Sequence, residues 1–247
     1  VQQEKTAREQ AKVADVQPRS LWDRLDQQGT QYNDAAQRSA KSFSTQPTST
    51  KGWPVPEKVY NWVKFDDLIK QPSSDKPTEV AFTLSIGDDF DLNWNEASIV
   101  SNVVSPYLAL VRKYGIKPLV DVAISHFYKV YGQDSLIPDV TFFYSSIETP
   151  LFSVEAKAPG KYAPTTPNDM AAHWYDSEVP DRSPITQVYI YSCAMQSRYC
   201  VLTTGRYTWF MEREEGVLNV SRAFQPSDLT PSLAQAWVTF VGLANSN

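Results

Sequence analysis

Three features of the chain predict an α/β fold with a mixed central sheet of about five strands flanked by helices. Two apolar, β-branched and aromatic runs, 137–144 and 151–158, are separated by a turn-length polar segment holding Ser145, Ser146 and Glu148, the pattern of a β-hairpin. Segments with helical spacing lie at 95–115, 185–197 and 231–243, so helices and strands alternate along the chain. A further strand pair, 199–203 and 207–212, flanks Thr204, Gly205 and Arg206 and reads as a final hairpin.

The 247 residues, 42% hydrophobic and 21% charged, suit one sizeable domain with appendages. No stretch of eighteen apolar residues occurs, so no membrane span is expected, and the N-terminal region lacks the apolar core of a secretory signal. An intracellular location, nuclear or cytoplasmic, is the expectation, with a removed leader left open by the start at Val1. Cys193 and Cys200 are too few for a disulfide framework and lack the partners of a zinc site, so both read as buried thiols. The net charge of −5 argues against a broadly basic nucleic-acid-binding surface.

Residues 1–50 form a polar arm and linker, and 51–247 form the domain. The arm holds nine glutamines and thirteen charges among few large apolar residues, including Leu21, Trp22 and Leu25, so it cannot supply a core. A protein partner could engage it. From Trp53 onward Val59, Tyr60, Trp62, Val63, Phe65, Leu68 and Ile69 are spaced for a short amphipathic helix on the domain's edge. A loop over 71–77, an added strand over 80–86 and an acidic turn holding Gly87, Asp88, Asp89 and Asp91 come next.

Asn95 caps a helix through Ile99, Val103, Leu108 and Val111 that Pro106 should kink and Gly115 should stop. The alternating run 118–128 is the first core strand, and His126 reads as a packed sheet residue. The segment from Pro159 to Pro184 reads as irregular. Lys161 and Arg182 could there meet phosphates and Tyr162, His173, Trp174 and Tyr175 could stack on bases, or the insertion packs on itself. Thr230 caps a last helix whose stripe is Leu233, Ala236, Trp237, Phe240 and Val241.

Chemistry concentrates in the first hairpin. Strand alternation puts Glu155 and Lys157 on one face and Val154, Ala156 and Ala158 on the other. Asp139 begins the partner strand, about 4.8 Å away in a paired ladder, so the two carboxylates converge with an ammonium. Two carboxylates roughly 5 Å apart at an effective dielectric near 20 repel by about 3 kcal/mol, which Lys157 or a divalent cation relieves. Hard carboxylate oxygens suit Mg²⁺ or Mn²⁺. Such a centre performs phosphodiester hydrolysis. The alternative is a strand-start aspartate beside a solvated Glu–Lys pair.

Pro138-Asp139 followed by Val154-Glu155-Ala156-Lys157 resembles the signature of the PD-(D/E)XK nuclease superfamily. Gln187 and Tyr191, four apart on one helical face after Glu-x-Lys, resemble the Gln-x-x-x-Tyr feature of its RecB-like branch, and the pattern looks most like nuclease-like domains of fungal and other eukaryotic proteins. The resemblance covers about residues 95–213. It implies a restriction-endonuclease-like fold and a metal-dependent nuclease acting on nucleic acid, DNA more than RNA. It also implies Asp139 and Glu155 as metal ligands, Glu96 as a further ligand, Lys157 as the catalytic cation, and Gln187 and Tyr191 as supporting contacts. The rival expectation is an inert binding or scaffold module on the same fold, which the acidic charge favours. Oligomeric state is not readable from the sequence.

Overall fold

The computed structural model describes residues 53–70, 96–100, 104, 122–125, 138–144, 149–158, 161–176, 183–225, 228 and 231–246. The arm 1–50, the strand 80–86, the acidic turn, the Asn95 cap, the helix beyond Val104 with Pro106 and Gly115, His126, Pro159, Arg182 and Thr230 lie outside the described residues.

The fold is α/β. Among the described residues, strands β1 (Lys58–Asn61), β2 (Val122–Ser125), β3 (Val140–Tyr144), β4 (Thr149–Ala156), β5 (Tyr199–Thr203), β6 (Thr208–Glu214) and β7 (Val217–Val220) form one sheet. Its order is β1-β7-β6-β5-β4-β3-β2. The β1–β7 and β4–β5 pairs are parallel and the rest antiparallel. The sheet is thus mixed, as expected, with seven strands where the sequence suggests about five.

Two strands account for the excess. Lys58–Asn61 has an apolar spacing that continues into helix α1 (Val63–Lys70), so strand and helix read together as one helix. Its partner β7 follows the two-residue Glu215-Gly216 turn after β6, which makes β6–β7 the last hairpin rather than β5–β6. Gly216 is required there: its φ is +69°, and a Cβ would meet the Glu57 carboxylate at 3.2 Å. The Gly216 carbonyl in turn accepts from the Glu57 and Lys58 amides at 2.9 and 3.1 Å, which fixes where β1 begins.

Helices cover both faces. On one, α1, the short α2 (Glu96–Ile99) and α5 (Leu233–Asn245) enclose a core of Phe65, Ile99, Phe142, Phe152, Val154, Val201, Phe210, Trp237 and Phe240. The segment expected on the domain's edge is therefore central, since Phe65 is fully buried against Trp62, Phe210, Phe224 and Phe240. Arg222 ties α1 down through Asp66 at 3.3 Å while reaching Asp228 at 3.2 Å and lying over the Phe224 ring. Ser232, not Thr230, caps α5, in a reciprocal capping box with Gln235.

On the opposite face α3 (Met170–Tyr175) and α4 (Ser183–Ala194) pack over Cys200, Leu202, Trp209, Met211, Leu218 and Val220. The segment expected to be irregular thus contains α3, whose N-cap Asp169 accepts from the Ala172 amide. Its aromatics are mostly packing groups: Tyr162 lies edge-on to His173 and Trp209, and the Trp209 indole donates to the Pro167 carbonyl at 2.7 Å. Cys200 is buried, but Cys193 is only half-buried, a correction to the expectation for both.

Phe240 meets the rings of Phe65, Phe152, Tyr199, Phe210 and Trp237. Phe240→Ala should therefore cost about 3–5 kcal/mol in urea denaturation, the range for emptying an aromatic site in a packed core. A loss below about 1 kcal/mol would show that this layer collapses onto the gap.

Candidate active site

The site is built where β4 ends. Alternation sends Val154 and Ala156 into the α1/α5 core and Ser153 and Glu155 to the opposite face. The parallel register pairs Ser153 with Cys200 and Glu155 with Leu202, and Cys200 and Leu202 pack beneath Ile185, Val188 and Tyr189 of α4. Glu155 is thereby under the helical layer and only 4% exposed.

Lys157 stands one residue past the strand, yet its amide still donates to the Thr203 carbonyl at 2.8 Å, so the ladder fixes its backbone. Its ammonium donates to Glu155 Oε1 at 2.5 Å. Asp139, one residue ahead of β3, accepts the Ala156 amide on Oδ2 at 2.7 Å. That amide lies between Glu155 and Lys157 in the chain, so a single backbone bond holds the second carboxylate beside both. Glu96, the first residue of α2, is close enough to act electrostatically on all three. The four residues nominated by the hairpin and the first helix are thus neighbours.

Their electrostatics follow from burial. Loss of water, reinforced by the Asp139 charge and opposed by Lys157, pushes the Glu155 carboxyl from its ordinary 4.5 to about 8. Burial also raises Asp139, against the pull of the Ala156 amide and the Lys157 charge. Burial opposes the charge on Lys157, but Glu155, with Glu96 and Asp139 behind it, holds the ammonium above its usual range.

Glu155 Oε2 is buried and meets no hydrogen-bond partner of ordinary geometry among the described residues, with the Asp139 carboxyl close enough to interact with the Glu155 side chain. This fits a divalent cation, and Mg²⁺ takes only one or two carboxylates, its other positions going to water and phosphate. Among the described residues no three His, Cys, Asp or Glu side chains are closely enough grouped to hold a metal ion by themselves. Asp139 and Glu155 are accordingly the pair that could offer oxygens to such an ion, with Glu96 acting on them through its charge.

Gln187 and Tyr191 lie on α4, the helix that covers the Glu155 face. Both are buried, and Gln187 Nε2 donates to the Tyr191 hydroxyl at 2.7 Å. A solvent-facing glutamine is thus excluded. Tyr191 packs with Met195, whose sulfur accepts from the Thr141 hydroxyl of β3 at 4.0 Å. Thr141 pairs with Ser153, so this side of α4 leans toward the β3–β4 half of the sheet, where Asp139 and Glu155 stand.

Sequence reasoning missed the buried Thr141 and Ser153 on this face and the threonines of the β5–β6 turn. Their only sequence signal is a small polar residue two positions before Glu155 and the Thr203-Thr204 pair ahead of Gly205. No protein-family model, curated protein or solved structure matches the chain.

Because the folded-state pKa of Glu155 lies near 8 against an ordinary 4.5, folding takes up a proton between those values. The resulting stability is full below about pH 4.5 and is lost as pH rises through 8. Asp139 shifts in the same direction. The melting temperature of the metal-free protein should therefore fall from pH 5 to 8 relative to Glu155→Gln, measured in EDTA by calorimetry. Parallel profiles for parent and variant would mean that Glu155 titrates normally.

Proposed function

We propose that the protein is a metal-dependent nuclease of the PD-(D/E)XK type, with a restriction-endonuclease-like domain that hydrolyses phosphodiester bonds, in DNA more than in RNA. The observation carrying this reading is the junction of β3, β4 and β5, where one backbone amide holds Asp139 beside the buried Glu155–Lys157 pair. Mg²⁺ or Mn²⁺, when bound, supplies Lewis acidity toward a phosphate oxygen and a more acidic water.

The residues of the chain do the rest. Asp139 and Glu155 would offer carboxyl oxygens preplaced by the strands, Glu155 giving up its proton when an ion binds. Lys157, fixed through its own amide to Thr203, holds a cation at the spot where negative charge grows on the phosphoryl group in the transition state. The Gln187–Tyr191 pair, locked by its own hydrogen bond, braces the helical wall over the site. Burial of Glu155 keeps water from screening these charges.

The second reading, an inert binding module on the same framework, is favoured by the net charge of −5 and by the engagement of Lys157 with Glu155.

A cleavage screen with Mg²⁺ and Mn²⁺ over single-stranded and duplex DNA and RNA separates the two readings. Asp139→Asn keeps the shape but withdraws a negative oxygen, so it should weaken divalent-ion binding in calorimetric titration and abolish cleavage together. Lys157→Ala should keep the ion and lose cleavage by about 10²–10³-fold. A parent that binds neither ion leaves the inert module as the better account.

Gln187→Ala breaks the bond to Tyr191 and should slow cleavage far more than it lowers the melting temperature. Activity within about twofold of the parent would make the pair a packing feature alone.

A further inference from the structure

The β5–β6 turn is built more firmly than a connection of its length needs. Thr204 donates its amide to the Tyr207 carbonyl at 2.8 Å, and the Tyr207 amide donates to the Thr204 hydroxyl at 3.1 Å. The Gly205 amide donates to Thr203 Oγ1 at 3.1 Å, and that hydroxyl also contacts the Tyr207 carbonyl and Thr208 Oγ1. Gly205 takes φ +75°, a conformation a side chain would strain. Main chain and threonine hydroxyls together leave the turn one shape.

What the turn presents is Arg206. The residue is exposed, its guanidinium lies 5.1 Å from the centroid of the Tyr207 ring, and no carboxylate among the described residues pairs with it. Tyr207 is half-buried and packs against Trp209 and the layer of side chains on the Glu155 face. The guanidinium is therefore prepositioned on the same face as the site, at the carboxyl ends of the parallel strands β4 and β5. The Lys157 amide bonds to Thr203 O, so the turn and the candidate catalytic cation share one rigid ladder. One ladder spacing and the three residues of chain from Thr203 place the Arg206 and Lys157 Cα atoms within about 16 Å of each other.

We propose that this turn is a backbone anchor for the nucleic-acid strand, with Arg206 contacting a phosphate a short way along the strand from the one addressed by Lys157. The proposal rests on the nuclease reading and adds the residue that sets where the strand lies. A guanidinium suits the role because its fork can bind two phosphate oxygens at once while its plane stays on the tyrosine. On a chain whose net charge is −5, a fixed local cation is needed to offset the repulsion of a polyanion.

The test measures binding of fluorescent duplex and single-stranded DNA oligonucleotides to the full chain in EDTA, where no cleavage occurs, across a salt series. Each lost phosphate contact lowers the slope of log affinity against log salt by about 0.9 for duplex and about 0.7 for single strands. Arg206→Gln should lower the slope by that amount and, with Mg²⁺ present, raise KM while leaving kcat within about twofold. Arg206→Lys should keep the slope, and both variants should melt with the parent.

An unchanged slope and KM in Arg206→Gln, in a parent that does cleave, overturns the anchor and leaves the nuclease standing. So does a slope lost equally in Arg206→Lys, since charge would then not be the cause. A parent that cleaves nothing with Mg²⁺ or Mn²⁺ removes the nuclease reading and this one with it.

Discussion

The parallel pairing of β4 with β5 is the constraint on which the rest of the architecture turns. Parallel neighbours cannot be joined by a tight turn, so the chain must leave the sheet and return. It does so through 157–198, which carries α3 and α4 across one face. The same register that aligns Glu155 with Leu202 sets Glu155 beneath α4. It also gathers the chain segments following β4 and β5 at one end of the sheet, where Lys157 and the Thr204–Tyr207 turn stand side by side. In open α/β sheets that end is where backbone groups and loops are free to meet a ligand.

Placing charge there has a cost that the fold answers only in part. In the Arg198–Glu212 pair the arginine side chain is 47% accessible, so water screens the interaction from one side. Glu155 has no such screen. Lys157 answers one of its oxygens, Oε2 meets no partner of ordinary geometry among the described residues, and Asp139 stands near with its charge partly met by the Ala156 amide and by Lys157. A pair of carboxylates selected for stability alone would be replaced by packed apolar groups, which bury at no electrostatic cost. Two carboxylates kept at the edge of a core that is otherwise apolar cost stability, and groups perturbed in this way concentrate at functional sites.

How much of this was readable beforehand depended on whether the signal was local. The β3–β4 hairpin, with Asp139, Glu155 and Lys157, was legible because charges interrupt a period-2 apolar pattern, and the pattern also says which face they share. The β5–β6 pair and the last helix were legible for the same reason of unbroken periodicity. The β1 strand was not, because its four residues run directly into α1 and its partner β7 lies more than 150 residues away along the chain. Ser232 was missed as the α5 cap because Thr230 and Ser232 are both good caps, and only the reciprocal bond with Gln235 decides between them. The packing role of Tyr162, His173 and Trp174 was open since aromatics in a proline-rich segment carry no period. Trp209, the second residue of β6, packs edge-on to Tyr162 and bonds the Pro167 carbonyl beside them.

Among the described residues β1 is an edge strand of the sheet. An edge strand offers unpaired amides to any extended chain. Here the Val59 amide donates to the Tyr175 hydroxyl at 3.1 Å, and the Asn61 side chain both donates to Asp169 and accepts from the Ala171 amide. Helix α3 is thus sewn along β1 by side-chain bonds that mimic a further strand without supplying one. The same helix contributes His173 and Trp174 to the layer on the Glu155 face. Sealing this edge falls to α3 and covering Glu155 falls to α4, so a change that loosens α3 from β1 exposes strand amides three strands away from the β4–β5 junction where the carboxylates stand.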